Sequence, residues 1–116
     1  MNTNGRHLLL ELGGCDPLAL AELDRIRAAM LGAADAIGAT VIEETFHRFA
    51  PHGISGVVVI AESHLTIHAW PESGYAAVDV FTCGKLDPNG ATQFLVDQLG
   101  ATSVHRREIA RGLPEE

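Results

Sequence analysis

The polar residues with the most evident chemistry lie in one short segment, Ala61–Trp70. Side chains alternate between the two faces of an extended strand. That alternation puts His64, Thr66 and His68 on one face, together with Trp70. Histidine and threonine can donate, accept or carry a proton near neutral pH. Taken alone, the segment favours a solvated sheet face slightly over a reactive site.

A zinc site is one alternative, because His47, His52 and Cys83 add candidate ligands to the two histidines of the segment. His64 and His68 point the same way along a strand but lie about 13 Å apart at the usual rise per residue. One ion cannot bridge that distance, and neither cysteine belongs to a CxxC pair. We therefore predict no metal site.

A serine hydrolase is a second alternative, with Ser63, His68 and either Asp79 or Glu72 as its catalytic groups. The G-x-S-x-G turn that exposes such a serine is missing, and Ser63 follows Glu62 in a strand pattern. Gly13-Gly14 matches no phosphate-binding fingerprint. Both interpretations are weak.

The elements that position these residues alternate between strand and helix patterns. Strands are predicted at His7–Leu12, Ala39–Phe49, Ser55–Ala61, His64–Trp70, Tyr75–Cys83 and Thr102–Ala110, the last at a sheet edge. Helices are predicted to start at Asp16-Pro17 and Asp87-Pro88, with Asp as the cap, and to end at Gly38 and Gly100. The pattern predicts an α/β (α+β) two-layer sandwich, in which one mostly antiparallel sheet carries both helices on one face.

Composition limits the possible partners. The 116 residues suffice for one domain, and the net charge of −7 argues against a protein that binds nucleic acid. The longest apolar run, Val57–Ala61, is too short to span a membrane, and the N-terminus resembles no signal peptide. Two isolated cysteines favour a reducing cytoplasm. No residues remain to cover the second sheet face, so we expect the chain to dimerise.

Longer runs of residues carry a family resemblance. They are GRHL (5–8), TFHRF (45–49), SGVVVIAESHLTIH (55–68), WPE (70–72) and GYAAVDVFTCG (74–84). In order and spacing, from about Gly5 to Gly84, they resemble the bacterial S-adenosylmethionine decarboxylase proenzymes. The length and the predicted fold agree with that family.

The resemblance implies that a single domain, residues 1–116, cleaves itself between Glu62 and Ser63 into residues 1–62 (the β chain) and 63–116 (the α chain). Ser63 would become a covalent pyruvoyl group, the cofactor that forms a Schiff base with the substrate. His68 would accept the α-proton of Ser63 during processing, and Ser55 would assist. No separate cofactor would then be needed.

The resemblance also assigns roles in turnover. Cys83 would donate the proton that replaces carbon dioxide on the substrate. Phe49 would stack on adenine, and Glu72 would bind the ribose hydroxyls. A homodimer of processed units would complete the pocket. The product, decarboxylated S-adenosylmethionine, would serve spermidine synthesis.

The sequence departs from the family pattern in Leu10–Cys15, where Leu12-Gly13 offers no second aromatic wall for the purine. This departure puts the nucleoside substrate in question, and two alternatives stay open. The same pyruvoyl chemistry could act on ornithine or arginine, or the chain could be a binding module that never processes. The reactive residues argue against the binding module, since all are present: Ser55, Ser63, His68 and Cys83.

Overall fold

Over residues 4–113, which the computed structural model describes, the chain forms two layers. The strands are β1 Gly5–Gly13, β2 Thr40–Arg48, β3 Ile54–Ala61, β4 Ser63–Trp70, β5 Tyr75–Cys83 and β6 Ser103–Arg111. The helices are α1 Pro17–Ala21, α2 Leu23–Ala36 and α3 Gly90–Leu99, with a 3₁₀ turn at Pro71–Ser73. The strands make one sheet in the order β2-β3-β4-β5-β1-β6, and every neighbouring pair is antiparallel. The predicted fold class is confirmed.

The core lies between the sheet and the helices. Alternation along each strand sends every second side chain inward. The largest buried residues include Leu8, Leu10, Leu12, Leu65 and Ile67 from strands and Ile26, Met30, Leu95 and Leu99 from helices. Burying each such side chain stabilises the fold by ~1.5–3 kcal/mol. The other face of the sheet is left to carry the polar residues.

The first helical segment is broken where the sequence predicts one continuous helix. Asp16 caps α1, because its side chain accepts a hydrogen bond from the Leu18 N–H at 3.0 Å. Glu22 then has an extended backbone, and α2 begins at the next residue. The break lets α1 contact β4 and the 3₁₀ turn while α2 packs on β2 and β3.

The first predicted cap, Asp16, is confirmed, but the second, at Asp87-Pro88, is wrong. The Asp87 carboxylate accepts a hydrogen bond from the Asn89 N–H at 2.9 Å, a local turn, and α3 starts only at Gly90. This hydrogen bond is the main reason why the pKa of Asp87 is lowered. Gly100 ends α3 with φ 67°, a conformation that favours glycine and confirms the predicted helix end.

The sheet face opposite the helices, called here the open face, is not covered by any described element. Val57 and Val59 on β3 are 42% and 37% exposed there. Strand β6 lies at the end of the strand order, next to β1, as predicted for an edge strand. Within residues 4–113, no helix is long and apolar enough to cross a membrane.

Candidate active site

Ser63 lies at one end of the open face, at the tip of the hairpin that joins β3 to β4. Ile60 pairs with Ser63, so the chain reverses direction within the Ala61–Glu62 pair, whose peptide bond is cis. The φ angle of Ser63 is 116°, a region that residues other than glycine rarely adopt. Backbone strain of this kind is concentrated at functional sites in proteins.

The Cys83 thiol contacts the Ser63 hydroxyl. Ser63 pairs with Thr82 across β4 and β5, and its hydroxyl lies 3.5 Å from the Cys83 thiol. Cys83 is free and half-buried. Regular alternation would assign Ser63 to the helix-facing set with Leu65, and the unusual φ angle accounts for its departure from that pattern. We call the group formed by Glu62, Ser63 and Cys83 the hairpin end of the open face.

The opposite end of β4 carries a second group of polar and aromatic residues. The Ser55 hydroxyl lies 2.7 Å from His68 Nδ1, because Ser55 and His68 are paired across β3 and β4. Both line a cavity of about 200 Å³ together with Phe49 and Trp70. We call the group formed by Phe49, Ser55, His68 and Trp70 the aromatic end of the open face.

Glu72 is exposed in the 3₁₀ turn that directly follows Trp70, next to the aromatic end. Trp70 stacks on Tyr75 with ring centroids 5.0 Å apart. The Tyr75 hydroxyl donates a hydrogen bond to Glu11 at 2.9 Å, and burial together with this carboxylate raises the pKa of Tyr75. Sequence reasoning assigned Trp70 no role, although its alternation with His68 placed it on the same face.

The two ends are far apart within one chain. Ser63 and His68 are five residues apart on β4, which corresponds to about 16 Å along a strand. The register agrees, since Ser63 pairs with Thr82 and His68 with Ala77. A single chain therefore brings Ser63 to Cys83 and Ser55 to His68, but it does not bring Ser63 to His68.

A third group lies between strands near the hairpin end. His7 and His64 both direct Nε2 at the same oxygen of Asp79, at 2.6 and 3.2 Å, and Thr66 donates to the other carboxylate oxygen. His64 thus meets partners from β1 and β5 rather than His68. Within residues 4–113, His7, His64 and Asp79 have the spacing of three metal ligands. The sequence analysis missed this group, because it considered neither His7 nor Asp79 as a metal ligand.

Comparison with known proteins is consistent across sequence and structure. A family model described as S-adenosylmethionine decarboxylase matches residues 6–112. The S-adenosylmethionine decarboxylase proenzymes of Bacillus velezensis and Clostridium tetani are 52% and 50% identical, over 97% and 100% of this chain and 90% and 93% of theirs. The crystal structure of the adenosylmethionine decarboxylase from Aquifex aeolicus superposes with a TM-score of 0.89 at 37% identity, covering 100% of this chain and 97% of that one. This chain therefore belongs to the S-adenosylmethionine decarboxylase family.

Proposed function

We propose that the chain is a proenzyme that cleaves itself at Glu62–Ser63 and then decarboxylates S-adenosylmethionine. The observation that carries this proposal is the strained hairpin end, where the Ser63 hydroxyl lies 3.5 Å from the Cys83 thiol. The activity for which the relatives are named supports S-adenosylmethionine over ornithine or arginine. The product would enter polyamine synthesis as decarboxylated S-adenosylmethionine.

Cleavage uses only the chain's own atoms and water. The Ser63 hydroxyl attacks the Glu62 carbonyl carbon, and the peptide nitrogen leaves as the Ser63 amine, which gives an ester. A base then takes the α-proton of Ser63, and the main-chain carboxylate of Glu62 leaves from the β-carbon of Ser63. Water hydrolyses the resulting dehydroalanine, ammonia is released, and a pyruvoyl group remains on residue 63. The angle φ describes rotation about the N–Cα bond of Ser63. Because the Ser63 nitrogen is lost as ammonia, processing also removes the backbone strain at φ 116°.

The base in this scheme is His68 of a second chain. Within one chain His68 lies about 16 Å along the strand from Ser63, beyond the reach of a direct proton transfer. A two-fold axis between two open faces, running across the strands, brings the hairpin end of one chain opposite the aromatic end of the other. The half-exposed Val57 and Val59 would become buried in that dimer.

Ser55 prepares His68 for this role. A neutral imidazole has one N–H, so its second nitrogen accepts protons only if the first carries the hydrogen. When His68 Nδ1 donates to the Ser55 oxygen at 2.7 Å, Nε2 is left as the proton acceptor. Ser55 thereby orients the His68 ring, and in this tautomer Nε2 serves as the base.

The residues at the hairpin end fit a pyruvoyl group. Such a group supplies the electron sink for decarboxylation once the substrate amine has condensed with it. Residue 63 would hold it at the start of β4, and the Cys83 thiol, already within 3.5 Å of the Ser63 hydroxyl, would donate the proton that replaces carbon dioxide on the substrate.

The substrate pocket also requires two chains. The cavity lined by Phe49 and Trp70 holds about 200 Å³, less than the ~300–1,000 Å³ usual for ligand pockets. Phe49 is 47% exposed, with the His47 ring 4.5 Å from it on one side, and its exposed part would stack on adenine. Glu72 is exposed in the adjoining turn and would bind the ribose hydroxyls. The hairpin end of the partner would close this cavity.

The test is a mass spectrum of the purified protein followed by a decarboxylation assay. The wild-type chain should separate into residues 1–62 and 63–116, with pyruvoyl on the second fragment, whereas Ser63→Ala should stay intact. Release of labelled carbon dioxide from S-adenosylmethionine, ornithine and arginine is then compared. Cleavage of Ser63→Ala at this bond, or release from ornithine or arginine alone, would contradict the proposal.

A further inference from the structure

The hydrogen-bond partners of Asp79 define a cluster that the proposed chemistry does not use. The Asp79 cluster consists of Asp79, His7, His64, Thr66 and Arg111. Arg111 Nη1 lies 3.0 Å from His7 Nδ1, and His7 Nε2 lies 2.6 Å from Asp79. The side chains of His7 and Asp79 are only 17% and 20% exposed. The cluster thus connects β6, β1, β5 and β4 across the open face.

The chemistry of the donors fixes the proton positions in this cluster. A guanidinium can only donate, so His7 Nδ1 must accept from Arg111. The single proton of neutral His7 is then on Nε2, where it is donated to Asp79. With His64 and Thr66 donating as well, the Asp79 carboxylate accepts three hydrogen bonds.

The same reasoning weakens a metal site at these residues. A metal bound to His7 Nε2 would require the proton on Nδ1, where it would face the N–H of Arg111. The Arg111 cation is held at this position by Phe81 as well, since its guanidinium carbon lies 5.2 Å from the ring centroid. The arrangement matches a completed hydrogen-bond network better than a cation site.

The position of His64 suggests what the network does. His64 directly follows Ser63, and its ring packs edge-on against Phe81, which in turn stacks on His7. Phe81 and Asp79 belong to β5, the strand that ends at Cys83. The cluster therefore holds the residue next to Ser63 and the strand that carries Cys83 in one network.

We propose that the Asp79 cluster is a positioning device that holds the new chain end at residue 63 against Cys83 after cleavage. The proposal rests on the self-cleavage proposed above. Before cleavage, Ser63 is fixed by chain on both sides. Afterwards it is a terminus, and chain termini lose order unless they are tied down. The side chain of His64 is the first one that can tie it.

The test compares His64→Leu, which removes the donor, with His64→Gln, which keeps an N–H at similar reach. Glu44→Gln serves as the control, because it removes the ion pair between Glu44 on β2 and Arg27 on α2. Each variant is made in the self-cleaving chain and in an uncleavable Ser63→Ala chain. Cleavage is followed by mass, and amide hydrogen exchange is measured in the peptide 64–70.

We expect His64→Leu to cleave at close to the wild-type rate but to exchange faster in this peptide, and only in the cleaved chain. Misplacing a reacting group by ~1 Å can cost 10²-fold, so kcat should fall ~10-fold to 10²-fold with little change in KM. His64→Gln should restore both properties, and Asp79→Asn should behave like His64→Leu.

Four outcomes would overturn the proposal. If His64→Leu raised the exchange rate of peptide 64–70 equally in the cleaved and uncleaved chains, the cluster would be merely structural. Stoichiometric zinc binding that His7→Gln abolishes would make it a metal site. A wild-type chain that never cleaves would remove the self-cleavage proposal and this one together, whereas normal cleavage with unchanged exchange and kcat would remove only this one.

Discussion

Val57→Asp places a carboxylate on the open face, midway along β3, where we expect two chains to meet. In one chain Val57 is 42% exposed, so the substitution should cost the isolated fold little. In a face-to-face dimer the carboxylate becomes buried without a partner, at ~3–5 kcal/mol per copy. The two-fold axis doubles this to ~6–10 kcal/mol. At ~1.4 kcal/mol per factor of ten, the dimer should weaken by at least about 10⁴-fold.

The assay combines analytical ultracentrifugation with the mass of the purified chains. Val57→Asp should sediment as a monomer with an unchanged circular-dichroism spectrum, and it should remain uncleaved because His68 of a second chain is missing. Leu18→Asp is the matched control, since Leu18 is 69% exposed on α1, in the layer away from the open face. That variant should dimerise and cleave normally. A monomeric Val57→Asp that cleaves at the wild-type rate would refute the reasoning, and a dimeric one would show that the interface lies elsewhere.

Three further substitutions test single roles. His68→Ala should accumulate the ester, seen as a chain that hydroxylamine cuts at residue 63; normal maturation would assign the base to another group. Cys83→Ala should still cleave but lose ~10²–10⁴-fold in decarboxylation, the usual contribution of a general acid; wild-type turnover would return Cys83 to a packing role. The hydrogen bond from Arg6 is the main cause that lowers the pKa of Glu108 from 4.5 to about 2. The stabilisation by ionised Glu108 is therefore complete above pH 4.5 and is lost as the pH falls toward 2. The free energy of unfolding of Glu108→Gln should depend less on pH over this range. An unchanged pH profile would contradict this.

The sheet could be predicted well because its strands carry a clean alternation of buried and exposed side chains. The helix starts were harder to predict, since Asp-Pro is compatible with both a cap and a turn. At Asp16 the side chain caps α1, but at Asp87 it bonds to Asn89 instead. Arg6 from β1 also lies 3.3 Å from Asp87, a contact distant in sequence that no local pattern contains.

The site was predictable in its parts but not in its assembly. The resemblance assigned roles to Ser63 and His68 but did not reveal their separation, although five residues on one strand already imply about 16 Å. The meeting of His7 with His64 and Asp79 depends on β1 lying beside β5, far from its sequence neighbour β2. Sheet order of this kind is set by tertiary packing rather than by local sequence.

The central claim, that His68 of one chain serves Ser63 of another, is tested most directly by mixing two inactive variants. A tagged His68→Ala chain is co-expressed in equal amount with a Ser63→Ala chain, and mixed dimers are confirmed by affinity capture. We expect the His68→Ala chain to be cleaved at Glu62–Ser63 only in the mixture, in about half of its copies, the share that random pairing into symmetric dimers gives. A His68→Ala chain that stays intact within captured mixed dimers would contradict the account.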